Sequence, residues 1–289
     1  MTELADTSLA LHAAADCPDW TDHGRRVMSV SGSDARAFLQ GLVTNDVSGL
    51  TAGEAVYAAL LTPQGKYLSD FLIIARPSDG EGDVFWLDLP AGHSADVLRR
   101  LTMYKLRSAV DLAQTDLLPR LSAHEPGDGA TAIADPRHPH LGWRVYAPHK
   151  DGAEVPMPEP MPELWRGLMI ALGIPFNDTD LVREETFVLH AGLERAHGVD
   201  FRKGCYVGQE VTARMRHKAE LTKKLVRLHA EAPLVSGSTV RESADGRALG
   251  TIGSTSGGEG LAVLRKDAPE TVYIEQDPPV TASLVPFDP

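Results

Sequence analysis

Cysteine is scarce in this chain. Only Cys17 and Cys205 occur in 289 residues, which excludes a disulfide scaffold and fits a reducing compartment. Two thiols are also too few for an iron–sulfur cluster of the usual four-cysteine kind. Long apolar runs are missing, so no segment reads as a bilayer span. The segment from Met1 to Ala15 has no basic stretch ahead of an apolar core, and the expectation is a cytoplasmic protein. Positive charge is in deficit as well. A formal net charge of −12 argues against nucleic acid or an anionic membrane as a direct partner. No repeat of solenoid length and no low-complexity tract is present.

What remains is a chain of ordinary apolar and charged content, long enough for two or three packed units. Residues 25–31 read as a strand. Ser33 is placed to cap a helix whose apolar residues Ala35, Phe38, Leu39 and Leu42 share one face. Strands are expected over 55–61, 66–75 and 84–89, the second of them apolar on both faces from Phe71 to Ile74 and therefore central. Ser94 opens a helix with Val97, Leu98, Leu101 and Tyr104 inward. Residues 125–140 read as a loop, 141–147 as a strand and 155–162 as a proline-rich connection. A helix then carries Leu164, Trp165, Leu168 and Leu172 on one face and ends at Gly173. His138, His140 and His149 fall in or beside loops without fixed ligand spacing, so no metal site is expected. From 225 onward, five short β-type runs (225–230, 238–242, 249–254, 261–264 and 271–275) alternate with glycine turns, as in a small antiparallel barrel. The expected organisation is an α+β body over 1–220, of two interleaved subdomains, followed by a barrel over 221–289.

The chemistry concentrates in one stretch: Lys203, Gly204, Cys205, Tyr206, Val207, Gly208, Gln209 and Glu210. A cation two residues before a thiol favours the thiolate. The glycines permit tight turns or close approach, Tyr206 offers an aromatic face, and Gln209 with Glu210 offers donors and acceptors. From Arg202 to Arg227 the chain is locally basic, with Lys203, Arg214, Arg216, Lys218, Lys223 and Lys224 opposed by Glu210 and Glu220. That is either a solvated face or a site for a small anionic ligand.

With Gly198, Val199, Asp200 and Phe201 before it and Thr212, Ala213 and Arg214 after it, this stretch resembles the signature of the YgfZ-type folate-binding proteins. These are relatives of the glycine-cleavage T-protein, and their mitochondrial members assist iron–sulfur cluster maturation. Phe38, Leu39, Gln40 and Gly41 with Thr44, Asn45 and Asp46 resemble the N-terminal signature of the same family. Among these, Asn45 and Asp46 are the residues expected to face a ligand.

The resemblance implies an aminomethyltransferase-like fold, tetrahydrofolate or a derivative as cofactor, and iron–sulfur client or assembly proteins as partners, tRNA-modifying enzymes among them. A pterin edge calls for a carboxylate and a glutamyl tail for Arg or Lys. The implied folate contacts are Asn45, Asp46, Tyr104, His190, Glu194, Tyr206, Gln209, Glu210 and Arg214, in a pocket where the signature loop faces the body. The family commonly has an acid where His190 stands, with Glu184, Glu185 and Glu194 as nearby substitutes. T-proteins usually carry two glycines and then paired aspartates, where this chain has Gly65, Lys66, Ser69 and Asp70. One carboxylate is left for transferase chemistry. Cys205, Lys203 and Asp70 form the candidate reactive set. Cys205 is either a working thiol or a small buried hydrophobe, and Lys203 either a pocket wall or a tether for a carboxylate or a backbone turn. Three functions follow: a folate-binding assembly factor, a folate-dependent one-carbon transferase, or a binding module for another small molecule.

Overall fold

The computed structural model describes residues 17–127, 131–149, 160–217 and 221–289. The expectations placed on residues 1–15, on 155–159 and on Lys218 and Glu220 lie outside the described residues. In chain order the elements are β1 (Trp20–Thr21), β2 (Arg25–Gly32), α1 (Ala35–Gln40), β3 (Ala55–Leu61), β4 (Tyr67–Arg76), β5 (Asp83–Pro90) and α2 (Ser94–Lys105). There follow β6 (Asp111–Gln114), β7 (Leu117–Ser122), β8 (Thr131–Ala134), β9 (Trp143–Pro148), α3 (Glu163–Leu172) and α4 (Gln209–His217). The last are β10 (Lys223–His229), β11 (Thr239–Arg241), β12 (Ala248–Ser256), β13 (Glu259–Arg265), β14 (Thr271–Glu275) and β15 (Val280–Val285).

A five-stranded antiparallel sheet in the order β3-β4-β5-β2-β6 carries the body. Strand β4 is buried along all but its last residue, because both of its faces are covered. Phe71 and Ile73 join Met28, Leu39 and Leu101 on one side, while Leu72 and Ile74 join Tyr57, Trp165 and Leu168 on the other. A residue pattern apolar on both faces has no wet side to present, which is why this strand sits inside the sheet.

A second sheet, β1-β7-β9-β8, is antiparallel too. It corrects the expected loop over 125–140, which contains β8. Gly173 ends α3 in the left-handed conformation at φ +70°, as expected, with its N–H on the Ile170 carbonyl. The inward face of α3 is Trp165, Leu168, Met169 and Leu172, whereas Leu164 is exposed. The capping expectations change in a similar way. Asp34 precedes α1, and its carboxylate accepts the Ala109 N–H instead of capping the helix. Ser94 donates its hydroxyl to the Ala91 carbonyl.

The last six strands close into an antiparallel barrel, β10-β13-β12-β11-β14-β15, one strand more than the sequence pattern announces. Asp180 joins the body to it: the carboxylate accepts from the backbone N–H of Phe176 and from both the N–H and hydroxyl of Ser254 in β12. No helix among the described residues is long and apolar enough to cross a membrane.

Candidate functional site

The two segments singled out in the sequence, 38–46 and 198–210, lie against each other. Thr44 donates its hydroxyl to the Gly198 carbonyl at 2.6 Å and accepts the Ala59 N–H at 2.8 Å. Asn45 donates to the carbonyls of Tyr57 and His197 at 2.7 and 2.6 Å. Lys203 is buried, and its ammonium donates to the carbonyls of Val43 at 2.5 Å and Asn45 at 2.7 Å. The amine is thus a tether for backbone, and it also lies 5.1 Å from the centre of the Tyr206 ring. Burial pushes its pKa down to about 8, against the pull of Asp46 and Asp200. Hydrogen bonds from Ser48 hold the Asp46 carboxyl below its ordinary value.

Gly208 has φ +85°, and a Cβ there would lie 2.7 Å from the Thr62 carbonyl oxygen. Only glycine lets the loop sit this close to the β3–β4 turn. Beyond it α4 begins, with Gln209 reaching back to the Gly204 carbonyl at 3.3 Å. The lysine-anchored loop leaves Cys205 exposed. Glu210 and Arg214 are exposed on α4, and Glu194 pairs with Arg216 at 2.9 Å. Tyr104 packs against the core beneath α1 and α2, as does Val207 of the loop.

Asp70 faces a different environment. Its carboxylate accepts the Tyr67 hydroxyl at 2.6 Å and lies 3.4 Å from Arg25. Arg25 reaches on to Asp88, and Asp88 to Tyr146 and Arg144. Arg144 and Arg137 both meet Asp135. A cavity of about 130 Å³ opens among Asp22, Arg25, Asp70, Arg137, Arg144 and Asn177. Burial pushes the Asp22 carboxyl up against the attraction of Arg144 and Arg25. Burial also opposes ionisation of Asp135, but Arg137 and Arg144 outweigh it and hold that carboxyl well below the usual range. The sequence reading missed this network, although Asp88 within the apolar run Phe85–Leu89 was its visible sign. Ser69, in the position of a second carboxylate, is buried and 3.1 Å from His93 Nδ1, whose Nε2 is 2.9 Å from Asp178.

His190 stands apart from the loop. It lines a cleft of about 340 Å³ with Asp180, Phe187 and Lys223, facing Gly250–Gly253 of the barrel. None of the residues lining this cleft comes from 198–210. Among the described residues no group of His, Cys, Asp and Glu is arranged to hold a metal ion.

Comparison with known proteins bears on the fold and the family. Residues 11–117 match the GCVT N-terminal domain family, and residues 222–289 match the CAF17 C-terminal beta-barrel domain family. A solved aminomethyltransferase T of the glycine cleavage system from Bartonella henselae superposes with a TM-score of 0.75 at 14% identity, over 96% of this chain and 89% of that one. The iron–sulfur cluster assembly factor IBA57 of Mus musculus is 32% identical, with 88% of this chain and 80% of the relative aligned. The Homo sapiens protein of that name is 31% identical over 83% of this chain and 75% of its own length. A homolog from Pyricularia oryzae is 34% identical, but the aligned chain spans only 54% of its length. These relatives are all named as mitochondrial, which overturns the expectation of a cytoplasmic protein. On an aminomethyltransferase-like architecture closed by a C-terminal β-barrel, the chain belongs to the family of the iron–sulfur cluster assembly factor IBA57.

Proposed function

We propose that this protein supports the assembly or maintenance of iron–sulfur clusters in client enzymes, tRNA-modifying enzymes among them, and that it binds tetrahydrofolate or a derivative. The observation that carries the reading is the exposed Cys205 thiol on a loop whose base is pinned by the buried Lys203. An exposed thiol on a fixed backbone can meet a partner's iron or sulfur without ordering the loop first. The relatives named as cluster assembly factors point the same way.

For the folate, the proposed place moves from the signature loop to the Asp70 cavity, which none of the implied contacts lines and where the carboxylates of Asp22 and Asp70 are of the kind that a pterin edge calls for. Its volume of about 130 Å³ suits one end of such a ligand. Tetrahydrofolate supplies a nitrogen that can carry a one-carbon unit. The protein's part is to bind and orient the ring.

The test joins two measurements. In cells lacking the native protein, Cys205→Ala is expected to fail to restore the activity of iron–sulfur enzymes, while calorimetry shows that tetrahydrofolate still binds. Full restoration by Cys205→Ala removes the thiol from the mechanism, and failure of tetrahydrofolate to bind removes the folate.

A folate-dependent aminomethyltransferase is the second reading, favoured by the persistence of Asp70. Against it, the Ser69 hydroxyl is engaged by His93 where T-proteins usually present a carboxylate. Loss of an acid–base partner commonly costs a factor of about 10²–10⁴ in rate, so little turnover is expected in a reconstituted glycine-cleavage assay. Robust turnover abolished by Asp70→Asn would reverse the ranking of the two readings.

A further inference from the structure

The cleft between the 179–190 segment and the barrel is independent of the thiol loop, and its polarity is unlike that of the Asp70 cavity. Lys223 stands on one wall, and His190 lies beside it with an Nε2 that is buried and has no hydrogen-bond partner among the described residues. The Lys66 ammonium sits 3.5 Å from the centre of the Phe187 ring and donates to the Glu185 carbonyl at 2.7 Å. The edge of His190 meets the same ring with centroids 5.7 Å apart. Lys66 and the unsatisfied imidazole therefore flank one aromatic side chain, and Lys223 stands on the wall of the same cleft.

Two carboxylates belong to the same cleft, and of these Glu185 attracts Lys66. Asp180 is taken up by Phe176 and Ser254, and burial pushes its carboxyl up. Glu185 is exposed to solvent. Burial first disfavours the charged forms of both His190 and Lys66; Lys223 and Lys66 add to it at His190, whereas at Lys66 the attraction of Glu185 opposes burial and Lys223. A negatively charged ligand would relieve that repulsion and give the orphaned Nε2 a partner.

We propose that this cleft binds a small multivalent anion bearing carboxylates or phosphates, held by Lys223 and His190, with Phe187 as its apolar wall and Lys66 adding positive charge from its place over that ring. Binding draws a proton onto His190, because the incoming charge favours the imidazolium that Lys66 and Lys223 disfavour, while Glu185 on the cleft wall opposes the anion and Asp180 stays hydrogen-bonded to Phe176 and Ser254. Affinity falls with rising pH and with rising salt.

The experiment is calorimetric titration of the full chain with inorganic pyrophosphate and, separately, with a γ-linked glutamate trimer, each in buffers of different ionisation enthalpy. Binding of either probe with proton uptake is expected, and the tighter probe identifies phosphate or carboxylate as the source chemistry. Lys223→Gln should weaken the tighter probe at least about tenfold, and His190→Gln should abolish the proton uptake with an unchanged unfolding midpoint. Absence of heat with both probes, or binding indifferent to Lys223→Gln, overturns the proposal. Tetrahydrofolate titrated into Lys223→Gln separates the two sites: unchanged folate affinity beside lost anion binding is expected, and joint loss shows that the cleft is part of the folate site instead of a separate one.

Discussion

Lys203 illustrates how far a single residue can be read. Its place in a cation–glycine–thiol run marks it as important, yet its acceptors are the carbonyls of Val43 and Asn45, 160 and 158 residues away. Backbone acceptors leave no trace in side-chain chemistry, so the tether was one of two open readings until the fold brought the segments together. Lys203→Met is expected to lower stability by about 1–3 kcal/mol, because one buried and one partly buried carbonyl lose their donor, as a chemical-denaturation midpoint would show. The pH dependence has a definite sign. The folded pKa is lowered to about 8, so between there and the ordinary lysine value the unfolded chain binds more protons. Wild type should therefore gain stability relative to Lys203→Met as pH rises through that window, while below it the difference stays constant. Cys205→Ala, at an exposed position, should leave the midpoint within about 0.5 kcal/mol of wild type. A large loss there would make the cysteine structural.

Elements were legible where burial stamps a strong pattern and illegible where it does not. Strand β4 and helix α3 announce themselves through runs of apolar residues. Strand β7 carries Pro119 and Arg120, and a proline inside a short run argues against a strand unless its neighbours are known. Helix α4 begins within the signature and carries polar residues on most of its turns, so no apolar stripe marked it. The sixth barrel strand follows Pro278 and Pro279 and shows only Val280, Ala282 and Leu284 in alternation. The junction of loop and sheet offers a sharp test at this scale. Gly208→Ala combines a positive φ with a Cβ 2.7 Å from the Thr62 carbonyl oxygen, and should cost about 2–3 kcal/mol. A midpoint equal to wild type would mean that the β3–β4 turn moves aside without cost.

For the whole molecule, the architecture is shared with an aminomethyltransferase at 14% identity, and residues 11–117 still match the GCVT N-terminal domain family. The body and barrel meet through Asp180 and Ser254, and Arg195 of the body donates to the Asp288 carbonyl at 2.9 Å. Asp180→Ala removes the acceptor for three donors and should lower stability by about 1–3 kcal/mol, with the barrel melting separately from the body in calorimetry. A single unaltered transition would show that the remaining contacts between body and barrel suffice to couple them. The seam between residues 43–45 and 197–203 has a further consequence for how such proteins can diverge. Thr44, Asn45 and Lys203 supply the donors, whereas the acceptors at Val43, Asn45, Tyr57, His197 and Gly198 are all main-chain carbonyls. Any amino acid provides a carbonyl. The side chain at 43 is therefore free, as far as this seam is concerned, to drift between lineages, while the donors at 44, 45 and 203 must persist together. The loop bearing the thiol can keep its posture as the body beneath it is rewritten.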